Sequence, residues 1–110
     1  MSAPTHQETD ADFATRLAIE TGQILVGLRK QMFADGASQW DVKDAGDAAA
    51  QAFLAEELHT HRPDDAVLSE EEGTTDQRRF HSDRVWIIDP LDGTREFSEP
   101  GRDDWAVHVA

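Results

Sequence analysis

The segment Val85–Phe97, VWIIDPLDGTREF, runs an apolar stretch straight into two carboxylates three residues apart. Val85 to Ile88 is β-branched and aromatic, the composition of a short buried strand. Asp89, Pro90, Leu91, Asp92, Gly93 and Thr94 follow without a spacer. Carboxylates are costly to bury unless they are paired, hydrogen-bonded or bound to a cation, so the strand's end calls for solvent or a positive charge. Asp89 is expected at the last position of the strand, with Pro90 blocking the ladder because it lacks a backbone N–H. Gly93 permits a tight turn with positive φ, or a close approach. Such a turn folds Asp92 back beside Asp89, with the Leu91 carbonyl between them and the Thr94 hydroxyl adjacent. Two carboxylates and a carbonyl make a hard-oxygen site suited to Mg²⁺. Singly, Asp, Pro and Gly are ordinary turn residues; as a hexapeptide directly after VWII they favour the metal.

Spacing tests two other readings of the same residues. An EF-hand loop needs oxygen ligands at its first, third and fifth positions and glycine at the sixth. Counted from Asp89, the third and sixth positions are Leu91 and Thr94, and the reading fails. A phosphatase of the haloacid dehalogenase type sets its second aspartate two residues after the first; here the gap is three, which ranks that reading second among the enzymes. A further acidic cluster, Glu70–Glu72, closes the earlier apolar run AVLS. If the two strands are neighbours, Glu70 arrives near Asp89 and Asp92. Three carboxylates without a cation would repel one another and raise their pKa values. One or two divalent ions remove that conflict, and a metal pair is a recurrent device of phosphoryl hydrolysis. Glu72 reads as solvated loop.

The rest of the chain sets the frame. Residues 1–8 read as a flexible tail. Phe13, Leu17, Thr21, Ile24, Leu28 and Met32 recur at helical spacing, with Thr9 or Asp10 to cap the start and Gly36 to stop it. A second helix is expected over 48–61, ahead of Pro63. Strands are expected at 66–70, 84–89 and 105–110, and the last stops inside its apolar run, which reads as truncation. Ten basic against 23 acidic residues, net −13, argue against nucleic acid and anionic membrane as partners. There is no cysteine, hence no disulfide framework and no thiolate zinc site. Neither an export signal nor a run of about 20 apolar residues occurs, so a soluble cytoplasmic protein is expected. His59 and His61 point apart on a helix, and His81 and His108 have no spacing partners. Trp86 reads as core, Trp40 and Trp105 as core or cleft cover, and Arg78, Arg79 and Arg84 as loop solvation.

AVLSEEEG followed by WIIDPLDGTREF resembles the inositol monophosphatase superfamily of Mg²⁺-dependent, lithium-sensitive phosphatases. The specific part of the likeness is residues 66–97. The continuation REFSEPGRDDWAVHVA is most similar to the CysQ-type branch, the 3′(2′),5′-bisphosphate nucleotidases of sulfur assimilation. The resemblance implies an α+β fold, helices layered on an antiparallel sheet, of which residues 9–110 are the N-terminal portion. It implies Glu70, Asp89, Asp92 and the Leu91 carbonyl as metal ligands, for two or three Mg²⁺ ions in the complete enzyme. Asp92, Gly93 and Thr94 match the substrate-facing turn, and Thr94 the hydroxyl that holds and helps deprotonate the attacking water. Asp47, in KDAGD, matches the carboxylate that partners this threonine, although Asp44 stands where the family has its own threonine. Asp47 also suits a helix N-cap, and the two roles are compatible. Implied in turn is hydrolysis of a small phosphate monoester by metal-activated water, with 3′-phosphoadenosine 5′-phosphate giving AMP as the leading substrate. Inositol 1-phosphate and fructose 1,6-bisphosphate are the family alternatives. From a different class comes a truncated homologue that binds cations or pairs through an open sheet edge, and that edge also allows a homodimer.

Overall fold

The computed structural model describes residues 8–69 and 83–110. Helix α1, Asp10–Ala34, begins where the Thr9 hydroxyl accepts the Asp12 backbone N–H at 3.1 Å, leaving one orphan donor fewer at the helix start. It ends where Gly36 donates to the Phe33 carbonyl and Ala37 to that of Met32, the paired bonds of a Schellman stop. Its buried stripe is Phe13, Leu17, Thr21 and Leu25. The stripe keeps a four-residue step, so Leu25 takes the core position and Ile24, expected there, is exposed. Buried Thr21 satisfies its hydroxyl by donating to the Leu17 carbonyl at 2.6 Å.

Helix α2 spans Gln39–His61, nine residues longer at its start than expected. Ser38 caps it, accepting from the Asp41 N–H. Its buried residues are Val42, Gly46, Ala50, Leu54 and Leu58, an unbroken four-residue step whose middle members are small. The small residues weaken the apolar signal and allow close packing. Asp47 therefore lies inside α2, and its expected role as the helix cap is corrected: Ser38 holds that position.

Strands β1 (Ala66–Ser69), β2 (Val85–Asp92) and β3 (Ala106–Val109) form one sheet in the order β1-β2-β3, with the short helix α3 (Thr94–Ser98) between β2 and β3. The layered helix-and-sheet arrangement is as expected, but the pairing is mixed. β1 runs parallel to β2, while β2 and β3 are antiparallel. Parallel neighbours need a return connection of about a dozen residues or more, a length that residues 70–84 supply.

Two apolar clusters join the layers. Phe13 and Leu17 of α1, Leu54 and Leu58 of α2, and Trp86 and Ile88 of β2 make the first. Leu25, Val42, Ala50, Leu91 and Phe97 make the second, directly beneath the DPLDGT turn. Fully burying a side chain of this size contributes about 1.5–3 kcal/mol. A polar seam closes one end of the first cluster: Arg84 pairs with Asp10 at 2.6 Å and Asp65 at 3.3 Å, and the Trp86 indole N–H donates to Asp65 at 2.8 Å. Arg84 thus ties α1 to β2 rather than solvating a loop. Arg78 and Arg79 lie outside the described residues.

Candidate metal and phosphate site

β2 does not stop at Asp89. It continues through Pro90 to Asp92, and its register against β3 slips on the way. Asp89 faces His108, and Asp92 faces Ala106, so three steps along β2 match two along β3. One extra residue on β2 is a bulge, a place where a strand tolerates proline because a ladder bond is already missing. Side chains alternate across a strand, so residues three apart normally fall on opposite faces. The extra residue restores the parity. Pro90 and Leu91 are both buried, and Asp89 and Asp92 come to the same side. The expected convergence is present; a bulge produces it, where a strand end had been expected.

Leu91 anchors the turn, with its side chain 2% exposed in the second cluster. Gly93 then takes φ 81° and caps α3. A Cβ there would stand 3.1 Å from the Asp104 carbonyl oxygen and 3.3 Å from the Trp105 Cα, so both the torsion and the contact require glycine. Thr94 opens α3 half-buried, immediately after the turn. From the other side, Gly46 brings α2 against the same turn: a Cβ on it would lie 2.5 Å from Phe97 and 3.1 Å from Leu91. Asp47 follows Gly46, which places it on the helix segment packed under DPLDGT.

Asp89, Asp92 and His108 each offer a ligand atom, all within 4.8 Å of one another. His108 Nε2 is 3.1 Å from Asp92 Oδ2. Sequence spacing alone offers this histidine no partner. The missed signal is the alternation of β3: Val107 and Val109 pack on the core, which sends His108 to the opposite face, directly across from Asp89. Glu70 lies outside the described residues; Ser69, just before it, pairs with Ile88, just before Asp89, so the two strands are neighbours. A small cleft of about 180 Å³ opens beside Asp92, lined by Gly93, Asp104, Trp105 and Ala106. At its rim the Arg102 guanidinium holds the Asp104 carboxyl below its ordinary range through a hydrogen bond. Trp105 packs edge-on against Phe97 at 5.0 Å, whereas Trp40 is exposed. Carboxylate oxygens clustered at a solvent-facing strand are a donor set that fits a hard divalent cation.

Residues 6–110 match the profile of the inositol monophosphatase family. The chain belongs to that family. Among its relatives are the 3′-phosphoadenosine 5′-phosphate phosphatases of Mycobacterium bovis, 54% identical over 83% of this chain and 33% of that protein, and of Mycobacterium leprae, 50% identical over 93% and 36%. The extragenic suppressor protein suhB of Bartonella henselae has a similar structure, with a TM-score of 0.72, 27% identity, and coverage of 91% of this chain and 37% of that one. The chain spans about a third of the length of these curated relatives. Within the described residues of this family member, no helix is long and apolar enough to cross a membrane.

Proposed function

We propose that the protein carrying these residues is a Mg²⁺-dependent phosphatase that hydrolyses 3′-phosphoadenosine 5′-phosphate to AMP and inorganic phosphate. The observation that carries the reading is the bulge that sets Asp89 and Asp92 on one face, immediately before Gly93 and Thr94. The names of the mycobacterial relatives support the substrate. In this reading Asp89, Asp92, the Leu91 carbonyl and Glu70 hold the metal, and residues 9–110 form the N-terminal portion of the phosphatase domain. Mg²⁺ bound there supplies positive charge for the phosphate oxygens and lowers the pKa of water. The chain's own residues do the positioning. Thr94 accepts the attacking water as a hydrogen-bond donor, and Asp47 orients the threonine hydroxyl. The Gly93 backbone lets the phosphate approach the turn without a side chain in the way. Water's oxygen bonds to phosphorus as the bond to the 3′ oxygen breaks, and the leaving oxygen is protonated. Lithium inhibition, a cytoplasmic setting in sulfur assimilation and homodimer formation belong to the same reading.

The test is phosphate release from 3′-phosphoadenosine 5′-phosphate by the complete protein, beside inositol 1-phosphate and fructose 1,6-bisphosphate. Turnover should require Mg²⁺ and fall by on the order of a hundredfold or more in Asp89→Asn and Asp92→Asn, since even outer-shell changes at metal sites cost about 10–100-fold. Preference for either of the other two substrates would move the reading to another branch of the family. Unchanged turnover in both variants would remove these aspartates from the site.

A further inference from the structure

We propose that His108 is itself a ligand of the cation held by Asp89 and Asp92, so that the site has a mixed oxygen and nitrogen donor set in which the imidazole strengthens Mn²⁺ binding more than Mg²⁺ binding. This deepens the metal site described above and rests on it.

Three observations carry the inference. His108 is placed by the backbone, because β3 pairs it with Asp89 and the inward packing of Val107 and Val109 fixes its face. Its Nε2 lies 3.1 Å from Asp92 Oδ2, and the three ligand atoms fall within 4.8 Å of one another. Around one cation with bonds of about 2.1 Å, neighbouring ligands at right angles are about 3.0 Å apart and opposite ones about 4.2 Å. The group therefore has nearly the span of a single coordination sphere before any ion arrives. Finally, the donor chemistry is not that of a pure Mg²⁺ site. Carboxylates suit Mg²⁺, Ca²⁺ and Mn²⁺ alike, whereas imidazole suits transition metals, and affinity rises along that series from Mn²⁺. Among cations at home with carboxylates, Mn²⁺ gains most from the added nitrogen. Coordination through Nε2 places the imidazole proton on Nδ1.

The alternative is that His108 only donates Nε2–H to Asp92 and orients it. Pulsed electron paramagnetic resonance of the full chain with Mn²⁺ separates the two, because a directly coordinated imidazole imposes ¹⁴N coupling on the manganese signal. We expect that coupling in the wild type and its loss in His108→Ala. Mn²⁺ affinity by calorimetry should fall about tenfold in that variant, and Mg²⁺ affinity much less, within the range known for changes around metal ligands. His108→Asn keeps a polar surface and a donor toward Asp92, and should lose the imidazole signature equally. Mn²⁺ bound without ¹⁴N coupling, or equal weakening of both ions, would overturn the assignment while leaving the aspartate site standing. A wild type that binds neither ion, or Asp89→Asn and Asp92→Asn variants that bind as before, would overturn the metal site and His108's part with it.

Discussion

Gly93 concentrates the demands of the site in one residue. It turns the chain at φ 81° while lying against the Asp104 carbonyl. Left-handed backbone costs a residue with a Cβ about 1–2 kcal/mol, before any clash. Gly93→Ala should lower unfolding free energy by at least that much in chemical denaturation, and should weaken cation binding as well, because the turn carries Asp92. Phe97 is the second pivot. Fully buried between α2 and Trp105, it should cost about 3–5 kcal/mol when replaced by alanine. Much at this scale was legible in the sequence. The hexapeptide announced two carboxylates, a special glycine and a threonine, because each type is chosen for chemistry that does not depend on distant packing. His108 was not legible. Its partners are 16 and 19 positions away along the chain and meet it only through strand pairing.

Among the elements, α2 was the least legible. Its second half shows large apolar residues, but Val42, Gly46 and Ala50 in its first half give little contrast against Asp41, Asp44 and Asp47. Close approach to α3 explains the choice of small residues, and it also defeats a reading based on hydrophobic pattern. Ser38→Ala, which removes the cap, should cost about 1 kcal/mol and be visible as a lower melting temperature. Gly46→Ala sets helix propensity against packing. Alanine gains about 1 kcal/mol in a helix interior, while overpacking costs about 1–3 kcal/mol. With a contact of 2.5 Å to Phe97, packing should win, and the variant should melt lower than wild type. Helix α1 and the positions of the strands were readable from the apolar stripe and the β-branched runs, whereas the parallel pairing of β1 with β2 was not. The extension of β2 through Pro90 was not, since proline usually ends a strand and a bulge leaves no mark of its own in the sequence.

Across the whole molecule, charge and exposed apolar surface decide behaviour in solution. The carboxyls of Glu8, Asp10 and Asp104 are held below their ordinary values, 4.5, 3.8 and 3.8, by hydrogen bonds from Arg16, Arg84 and Arg102 respectively. A depressed folded value stabilises the fold above the unfolded value, and that stability is lost as pH falls through the folded one. Melting temperature should therefore decline as pH drops below about 4.5, and salt should blunt the decline because these pairs are exposed. Val85 and Ile87, two apart on β2, leave two apolar side chains exposed on the face of the sheet away from the helices. Residues 1–110 expressed alone should associate as concentration rises, which sedimentation would detect. The bulge has a last consequence, for how such a site is inherited. Inserting one residue opposite the bulge, between Ala106 and His108, would leave both aspartates, the glycine, the threonine and the histidine in the chain, yet would let the two strands pair residue for residue and turn Asp92 to the wrong side of the sheet. What must be transmitted is a count as much as a set of letters, so a homologue can keep every ligand and still have lost the site.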